Sequence, residues 1–196
     1  MPLGKERPVR RLVVTEFVSL DGVMEAPGGE PGYAHSGWVG RFFSDELGAY
    51  KQDEQLATDI LLLGRRTYAS FYDAWPHREG PFADKINTMP KYVASATLRT
   101  LKWETASLLE GPVADAVAGL KQQDGGPILV AGSRTLVHTL LEAGLVDQLN
   151  LQVFPLLLGS GMRLYPETTG TTALRLVSSE ALPNGVLLQA YEPAVA

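Results

Sequence analysis

Two segments of the sequence place a glycine, basic residues and a hydroxyl group directly after a run of apolar residues. Residues 61–68 read Leu-Leu-Leu-Gly-Arg-Arg-Thr-Tyr, and residues 128–135 read Ile-Leu-Val-Ala-Gly-Ser-Arg-Thr. In both segments the apolar run predicts a buried strand, and the residues after the glycine are suited to begin a helix. Backbone N–H groups at a helix N-terminus bind anions, and arginine adds positive charge there. Each segment is therefore a candidate phosphate site, although a strand, a glycine and a helix in this order also make an ordinary connection.

A dinucleotide is the ligand that would use both segments. If the two strands are neighbours, the two junctions could hold the two ends of such a ligand at the carboxyl edge of the sheet. The usual Gly-x-Gly-x-x-Gly fingerprint does not follow the first strand, and Gly159-Ser160-Gly161 has no third glycine. The Gly-Lys-Ser/Thr of a P-loop does not occur either. We interpret Gly159 and Gly161 as a tight turn that brings backbone close to the pocket, with a plain turn as the alternative.

The composition disfavours several other kinds of site. The chain of 196 residues has a formal net charge of −5, which is unsuited to binding nucleic acid. It contains no cysteine and 3 histidines, so disulfides and thiolate metal sites are excluded and no metal centre is expected. The sequence has neither an apolar stretch long enough to cross a bilayer nor a signal-peptide pattern. We expect a cytoplasmic protein that binds neither membranes nor nucleic acid.

Alternating strands and helices must position the two junctions. Short apolar runs predict buried strands at 12–18, 59–63, 91–94 and 127–131. Pro112 and Ser133 stand where helices would begin, and Gly125 and Gly144 follow the apolar stripes of those helices. This alternation is typical of right-handed crossovers in a mostly parallel sheet.

The last third of the sequence predicts antiparallel strands. Residues 174–180 and 186–191 flank a Leu-Pro-Asn-Gly turn, and we expect both Asn184 and Gly185 to adopt positive φ in a hairpin. No linker, repeat or low-complexity stretch divides the chain. We therefore predict a single α/β domain over residues 1–196, with a mostly parallel central sheet flanked by helices and an antiparallel C-terminal hairpin.

Six short pieces, taken in order, give the chain a family resemblance. They are Ser-Leu-Asp-Gly at 19–22, Leu-Gly-Arg-Arg-Thr-Tyr at 63–68, Tyr-Val-Ala-Ser at 92–95, Val-Ala-Gly-Ser-Arg-Thr-Leu at 130–136, Gly-Leu-Val-Asp-Gln-Leu at 144–149 and Pro-Leu-Leu-Leu-Gly at 155–159. With this order and spacing the chain resembles the dihydrofolate reductase-like superfamily. Within it, the chain more closely resembles the group that includes the reductase domain of bacterial riboflavin biosynthesis.

The resemblance implies an NADPH-dependent reductase. Gly64, Arg65 and Thr67 would then contact the adenosine side and the phosphates. Ser95 would lie near the ribose 2′-phosphate, and residues 132–136 would surround the diphosphate. Arginine and serine suit a 2′-phosphate, whereas an acid commonly binds the 2′-OH of NAD, so NADPH is preferred over NADH. The predicted cofactor-binding residues are Gly64, Arg65, Arg66, Thr67, Ser95, Gly132, Ser133, Arg134, Thr135 and Leu136.

The candidate substrate residues surround the end of the first strand. Asp21 ends that strand beside the glycine-rich segment 21–40, and we predict it as the catalytic residue, in substrate contact or proton relay. A simple Asp-Gly turn is the alternative. Segment 21–40 is either a lid or substrate wall, or a mobile connection. Glu16, inside the strand, either faces the pocket or is paired in an interface. The predicted substrate-binding residues are Ser19, Trp38, Gly159 and Gly161.

The chain departs from the better-known proteins that it resembles. Riboflavin reductases carry a glutamate just before the diphosphate segment, where this chain has Ala131. The pterin-binding carboxylate of dihydrofolate reductases also lacks its usual sequence context here. We expect the substrate to be a small planar heterocycle or a conjugated carbonyl compound. The alternatives are a 5-amino-6-ribosylaminouracil phosphate reductase-type enzyme and a non-catalytic nucleotide-binding protein that retains the cofactor cleft. The resemblance also implies a homodimer.

Overall fold

The strands and helices follow the apolar segments of the chain. The computed structural model describes residues 9–165 and 171–194. Its strands are β1 (Leu12–Ser19), β2 (Ile60–Gly64), β3 (Lys91–Ala94), β4 (Ala106–Leu108), β5 (Ile128–Ala131), β6 (Gln148–Phe154), β7 (Leu174–Ala181) and β8 (Leu187–Pro193). Its α-helices are α1 (Asp45–Leu56), α2 (Arg65–Ala74), α3 (Pro81–Thr88), α4 (Val113–Lys121) and α5 (Arg134–Glu142). Short 3-10 helices form at Trp38–Phe42 and Trp75–His77.

The eight strands form one sheet in the order β4-β3-β2-β5-β1-β6-β8-β7. The pairs among β1 to β6 are parallel, whereas β8 is antiparallel to both β6 and β7. The predicted fold class is therefore confirmed: an α/β fold with a mostly parallel central sheet, flanking helices and an antiparallel C-terminal hairpin. None of the helices in the described ranges is long and apolar enough to cross a membrane.

The direction of chain progression across the sheet changes at β1. This strand pairs with β5 on one side and with β6 on the other. Because β1, β2, β3, β5 and β6 are parallel, their C-terminal ends lie along one edge of the sheet, which we call the carboxyl edge. Open α/β sheets bind ligands in a crevice at this edge, where the strand order reverses.

Alternate side chains of β2 pack on opposite faces of the sheet. Leu62 belongs to an apolar cluster with Leu140 of α5. Leu61 and Leu63 belong to a second cluster with Tyr68 of α2. All three leucines have 0% exposure, which explains why a strand covered on both faces is continuously apolar in sequence. The helices α2 and α5 therefore lie on different faces of the sheet but begin at the same edge.

The C-terminal hairpin forms, but its turn differs from the prediction. The expectation of positive φ at Asn184 is wrong, because Gly185 adopts it alone in this turn, with φ of +86°. The turn spans four residues and is closed by a hydrogen bond from Gly185 N–H to Leu182 O at 2.9 Å. The Asn184 side chain is used instead to donate to Phe42 O and to accept from Val186 N–H.

Candidate functional site

The two glycine-bearing segments meet at the carboxyl edge. We call residues 64–67, where β2 leads into α2, the α2 corner, and residues 132–136, where β5 leads into α5, the α5 corner. The backbone N–H of Gly64 donates to Ser133 Oγ at 2.7 Å. Ser133 Oγ in turn donates to Thr67 Oγ1 at 2.9 Å. The two corners are therefore in direct contact.

This contact corrects the expectation that the corners hold the two ends of a dinucleotide. β2 and β5 are neighbours, and neighbouring strands lie about 4.8 Å apart. The ends of a dinucleotide are separated by two riboses and a diphosphate. Two corners in contact can share only one group of such a ligand, and an anion between two helix N-termini is the arrangement that suits them.

Glycine allows the corners to approach each other. A Cβ at Gly132 would lie 3.0 Å from Thr67 Oγ1, and a Cβ at Gly64 would lie 3.0 Å from Ser133 Oγ. Gly132 also has φ of +59°, which favours glycine. The space beside both glycines is thus occupied by hydroxyl groups of the chain itself. Because Gly64 N–H already donates to Ser133, what Gly64 contributes in this structure is the shape of the corner.

The N-termini of α2 and α5 carry no acidic residue in their first turns. The first turns of α1, α3 and α4 each hold at least one Asp or Glu. Such acids offset the partial positive charge of a helix N-terminus. At α2 and α5 no acidic side chain of the first turn offsets that charge. The exposed side chains of Arg65 and Arg66 add further positive charge at the α2 corner.

The predicted residues of the α5 corner divide between surface and interior. Leu136 is 6% exposed and packs in the core, so only its backbone N–H could reach a ligand. Arg134 Nε donates to Arg163 O at 2.6 Å, which ties the start of α5 to the loop after β6. Thr135 is exposed. Ser133 is committed to the α2 corner, as described above.

Ser95 follows β3 at the carboxyl edge, next to the α2 corner, because β3 pairs with β2. Its Oγ accepts hydrogen bonds from Thr97 N–H at 3.2 Å and from Leu98 N–H at 3.0 Å, and so shapes this loop. The same loop carries the exposed Arg99, which the sequence analysis missed. A basic residue four positions after a serine that ends a predicted strand is the signal that could have identified it.

Asp21 fastens the loop after β6 to the end of β1. Its Oδ1 accepts from Ser19 Oγ at 2.6 Å and from Leu158 N–H at 3.1 Å, and its Oδ2 accepts from Gly159 N–H at 2.8 Å. Burial alone raises the pKa of Asp21, but these hydrogen bonds outweigh burial and lower the pKa to about 2. The carboxylate is therefore ionised at neutral pH and positions the loop. Its catalytic role stays a prediction.

Two predicted substrate-binding residues are enclosed by protein. Ser19 is 1% exposed, and its hydroxyl also accepts from Val23 N–H at 2.9 Å. Trp38 is 5% exposed, donates from Nε1 to Glu25 O at 2.8 Å and packs edge-on against Phe154. These contacts make both residues supports of segment 21–40. Direct contact of either residue with substrate stays a prediction.

The glycine-rich segment 21–40 is attached to the loop after β6. Tyr33 OH donates to Ser160 O at 2.6 Å. The backbone N–H of Met162, in the same loop, donates to Glu25 Oε2 at 2.7 Å. A Cβ at Gly161 would lie 2.8 Å from Tyr33 OH, so glycine is required for this approach. These bonds attach the segment to the loop after β6, and its role as a lid or substrate wall stays a prediction. The sequence analysis missed Glu25, because its partner is 137 positions away and leaves no local signal.

Glu16 is an interior residue of β1. It is 3% exposed, and its Oε1 has no hydrogen-bond partner within the described part of the chain. Burial raises the pKa of Glu16 well above its usual value; Lys51 opposes this shift and Glu54 adds to it. Burial therefore disfavours the charged form of this carboxyl group.

Comparison with known proteins supports the family resemblance. The model of the RibD C-terminal domain family matches residues 10–188. The chain is 26% identical over 187 residues to the uncharacterized protein YyaP of Bacillus subtilis, covering 93% of this chain and 94% of that protein. The resemblance drawn from the six sequence pieces is confirmed.

Solved structures share the fold. A candidate riboflavin biosynthesis protein from Shewanella sp. PV-4 has a TM-score of 0.73 at 20% identity, covering 94% of this chain and 99% of that one. A diaminohydroxyphosphoribosylaminopyrimidine deaminase/5-amino-6-(5-phosphoribosylamino)uracil reductase from Thermotoga maritima has a TM-score of 0.65 at 13% identity. The alignment covers 95% of this chain and 57% of that protein.

We predict that Asp21→Asn lowers the free energy of unfolding by about 1 to 3 kcal/mol at pH 7, because hydrogen bonds to a charged group contribute on this order. The folded-state pKa of about 2 lies below the unfolded value, so the contribution is present above about pH 4 and is lost as pH falls through about 2. Urea unfolding at pH 7 and at pH 3 measures this, with the exposed Asp53→Asn as the control. The difference in free energy of unfolding between wild type and Asp21→Asn should be smaller at pH 3 than at pH 7. An equal difference at both pH values would contradict the lowered pKa of Asp21.

Proposed function

Since the chain belongs to the RibD C-terminal domain family, a reductase-like family, we propose that it is an NADPH-dependent reductase of the cytoplasm. Its substrate would be a small planar heterocycle or a conjugated carbonyl compound. The observation that carries the proposal is the contact between the α2 corner and the α5 corner. It brings two helix N-termini without acidic residues together at the edge where open α/β sheets bind ligands.

The residues of the two corners fit a phosphorylated dinucleotide. Backbone N–H groups at the starts of α2 and α5 would hold the diphosphate, assisted by Arg66. The loop after β3 reads Ser-Ala-Thr-Leu-Arg at 95–99 and contains no carboxylate. Ser95 and Arg99, together with Arg65 of the neighbouring α2 corner, would therefore hold a 2′-phosphate better than a 2′-OH, which favours NADPH over NADH.

NADPH, when bound, would supply the hydride for the reduction. The chain would orient the substrate and exclude water by means of the wall that segment 21–40 forms with the loop after β6. Asp21 would act by holding that wall, because a carboxylate with a pKa of about 2 has no proton to donate at neutral pH. We therefore assign the proton of the product to water.

A nucleotide-binding protein without reductase activity is the second candidate. The carboxylates of Asp21, Glu25 and Glu30 each accept a backbone N–H, so all three are engaged in holding loops. Ala131 also stands where riboflavin reductases carry a glutamate, which counts against a 5-amino-6-ribosylaminouracil phosphate substrate. The two candidates share the cofactor site and differ in turnover.

We expect the purified protein to oxidise NADPH in the presence of at least one member of a panel of quinones, pterins, pyrimidines and conjugated carbonyl compounds. Absorbance of the reduced nicotinamide measures turnover, and protein fluorescence measures binding of NADPH. Binding without turnover across the panel would favour the second candidate. Absence of NADPH binding would overturn both.

We predict that Arg65→Ala weakens binding of NADPH at least about tenfold more than binding of NADH, because a charge-assisted hydrogen bond is worth about 1.5 to 3 kcal/mol. Titration of both cofactors into the variant measures this difference. The control is Arg11→Ala, which removes an arginine at the start of β1, on the opposite edge of the sheet. Equal losses for the two cofactors would remove Arg65 from the 2′-phosphate site.

We also propose that the protein is a homodimer formed through β7. This strand ends the sheet, and all eight of its residues are exposed. Leu176 and Val177 are 51% and 46% exposed, so within residues 9–165 and 171–194 the edge presents apolar side chains together with unpaired backbone groups. Such an edge favours association with a second strand, and a copy of β7 is a self-complementary partner.

Leu176→Lys is expected to convert the dimer into a monomer, because it places a charge on the proposed interface. Sedimentation velocity measures the change. Leu56→Lys is the matched control, since Leu56 is 45% exposed at the end of α1. A wild-type protein that sediments as a monomer, or a Leu176→Lys variant that remains dimeric, would rule out this interface.

A further inference from the structure

Ser133 has an unusual backbone conformation for a residue with a side chain. Its φ and ψ are +72° and +52°, in the left-handed region. Among the described residues other than glycine, Ala26 alone shares a positive φ. This conformation costs free energy for an L-residue with a Cβ, and such strain persists only where other contacts hold it.

Ser133 also caps a helix other than its own. It occupies the N-cap position of α5, where a serine usually accepts a bond from its own first turn, yet no such bond forms in the described structure. Its hydroxyl instead accepts from the N–H of Gly64, the N-cap residue of α2, at 2.7 Å and donates to Thr67 Oγ1 at 2.9 Å. One hydroxyl therefore joins the starts of two helices that are 69 positions apart in sequence.

We propose that Ser133 is a positioning residue that locks the α2 corner to the α5 corner, so that the N-termini of both helices are directed at the same anion. This inference rests on the proposed function. It differs from the sequence expectation for Ser133, because its hydroxyl would act on the two corners and would not contact the cofactor. A site whose donors are fixed before binding loses less freedom when the ligand arrives.

The test compares Ser133→Ala with Ser133→Gly in the full chain. Ser133→Ala removes the hydroxyl and keeps the strained conformation, whereas Ser133→Gly removes the hydroxyl and relieves the strain. We expect Kd for NADPH to rise about tenfold in both variants, which corresponds to about 1.4 kcal/mol. We expect Ser133→Gly to melt at a higher temperature than Ser133→Ala. If Ser133 served stability alone, Ser133→Gly would recover both the melting temperature and the affinity for NADPH.

Thr67→Val identifies the bond that matters, because it removes the second partner of the hydroxyl. If Ser133 and Thr67 act as one unit, the double variant with Ser133→Ala binds NADPH no more weakly than Ser133→Ala alone. Hydrogen exchange of the Gly64 amide provides a readout without cofactor, and it should accelerate in both Ser133 variants. Exchange that stays slow would show that Ser133 does not hold the corner.

The outcomes separate the two levels of the proposal. If wild-type protein binds NADPH and Ser133→Gly binds it equally well, the positioning role is overturned and the proposed function stands. If wild-type protein does not bind NADPH, the proposed function fails and the positioning role fails with it. If Ser133→Ala does not fold, Ser133→Gly decides the result by itself.

Discussion

The hydrogen bond between Gly64 and Ser133 is the interaction on which the arrangement of the site depends. The helix α2 packs on one face of the sheet and α5 on the other, so their N-termini approach the carboxyl edge from opposite sides. Only the adjacency of β2 and β5 brings these two starts within reach of one hydroxyl group. Without that bond, the two sets of N–H groups would be separate helix ends, and neither end alone distinguishes a ligand site from an ordinary connection.

Carboxylates order the opposite side of the carboxyl edge. Asp21 and Glu25 accept backbone N–H groups from the loop after β6, and Glu30 accepts one from within segment 21–40. A connection of this length without regular structure is otherwise prone to mobility. These residues hold their loops through hydrogen bonds to backbone N–H groups, and at Asp21 such bonds lower the pKa of the carboxyl group. The hydrogen bonds of Asp21 show how it positions the loop after β6, and its catalytic role stays a prediction.

Local patterns in the sequence were sufficient to predict most of the sheet but not the contacts of the site. Strand β3 was predicted to the residue, because a short apolar run between polar neighbours defines it. Helix α1 was missed since Leu47 and Gln55 are its fully buried residues, too few to produce a helical apolar stripe. Both corners were predicted from a local pattern, in which a glycine, arginine and a hydroxyl residue follow an apolar run. Their contact was not, because it joins residues 69 positions apart, and such a pairing follows from strand order rather than from any local pattern.

The distribution of charge along the carboxyl edge determines how a ligand would lie there. The α2 corner has the exposed Arg65 and Arg66, and the first turns of α2 and α5 contain no acids, so the proposed cofactor would place its phosphates on that side. The wall beside β1 presents the ionised Asp21, whose nearest cation, Arg163, lies 3.8 Å from it and is half exposed. A negatively charged substrate would be repelled by Asp21 unless the Arg163 side chain turned toward that substrate. A neutral, planar acceptor, which is the substrate class proposed above, would need no such rearrangement.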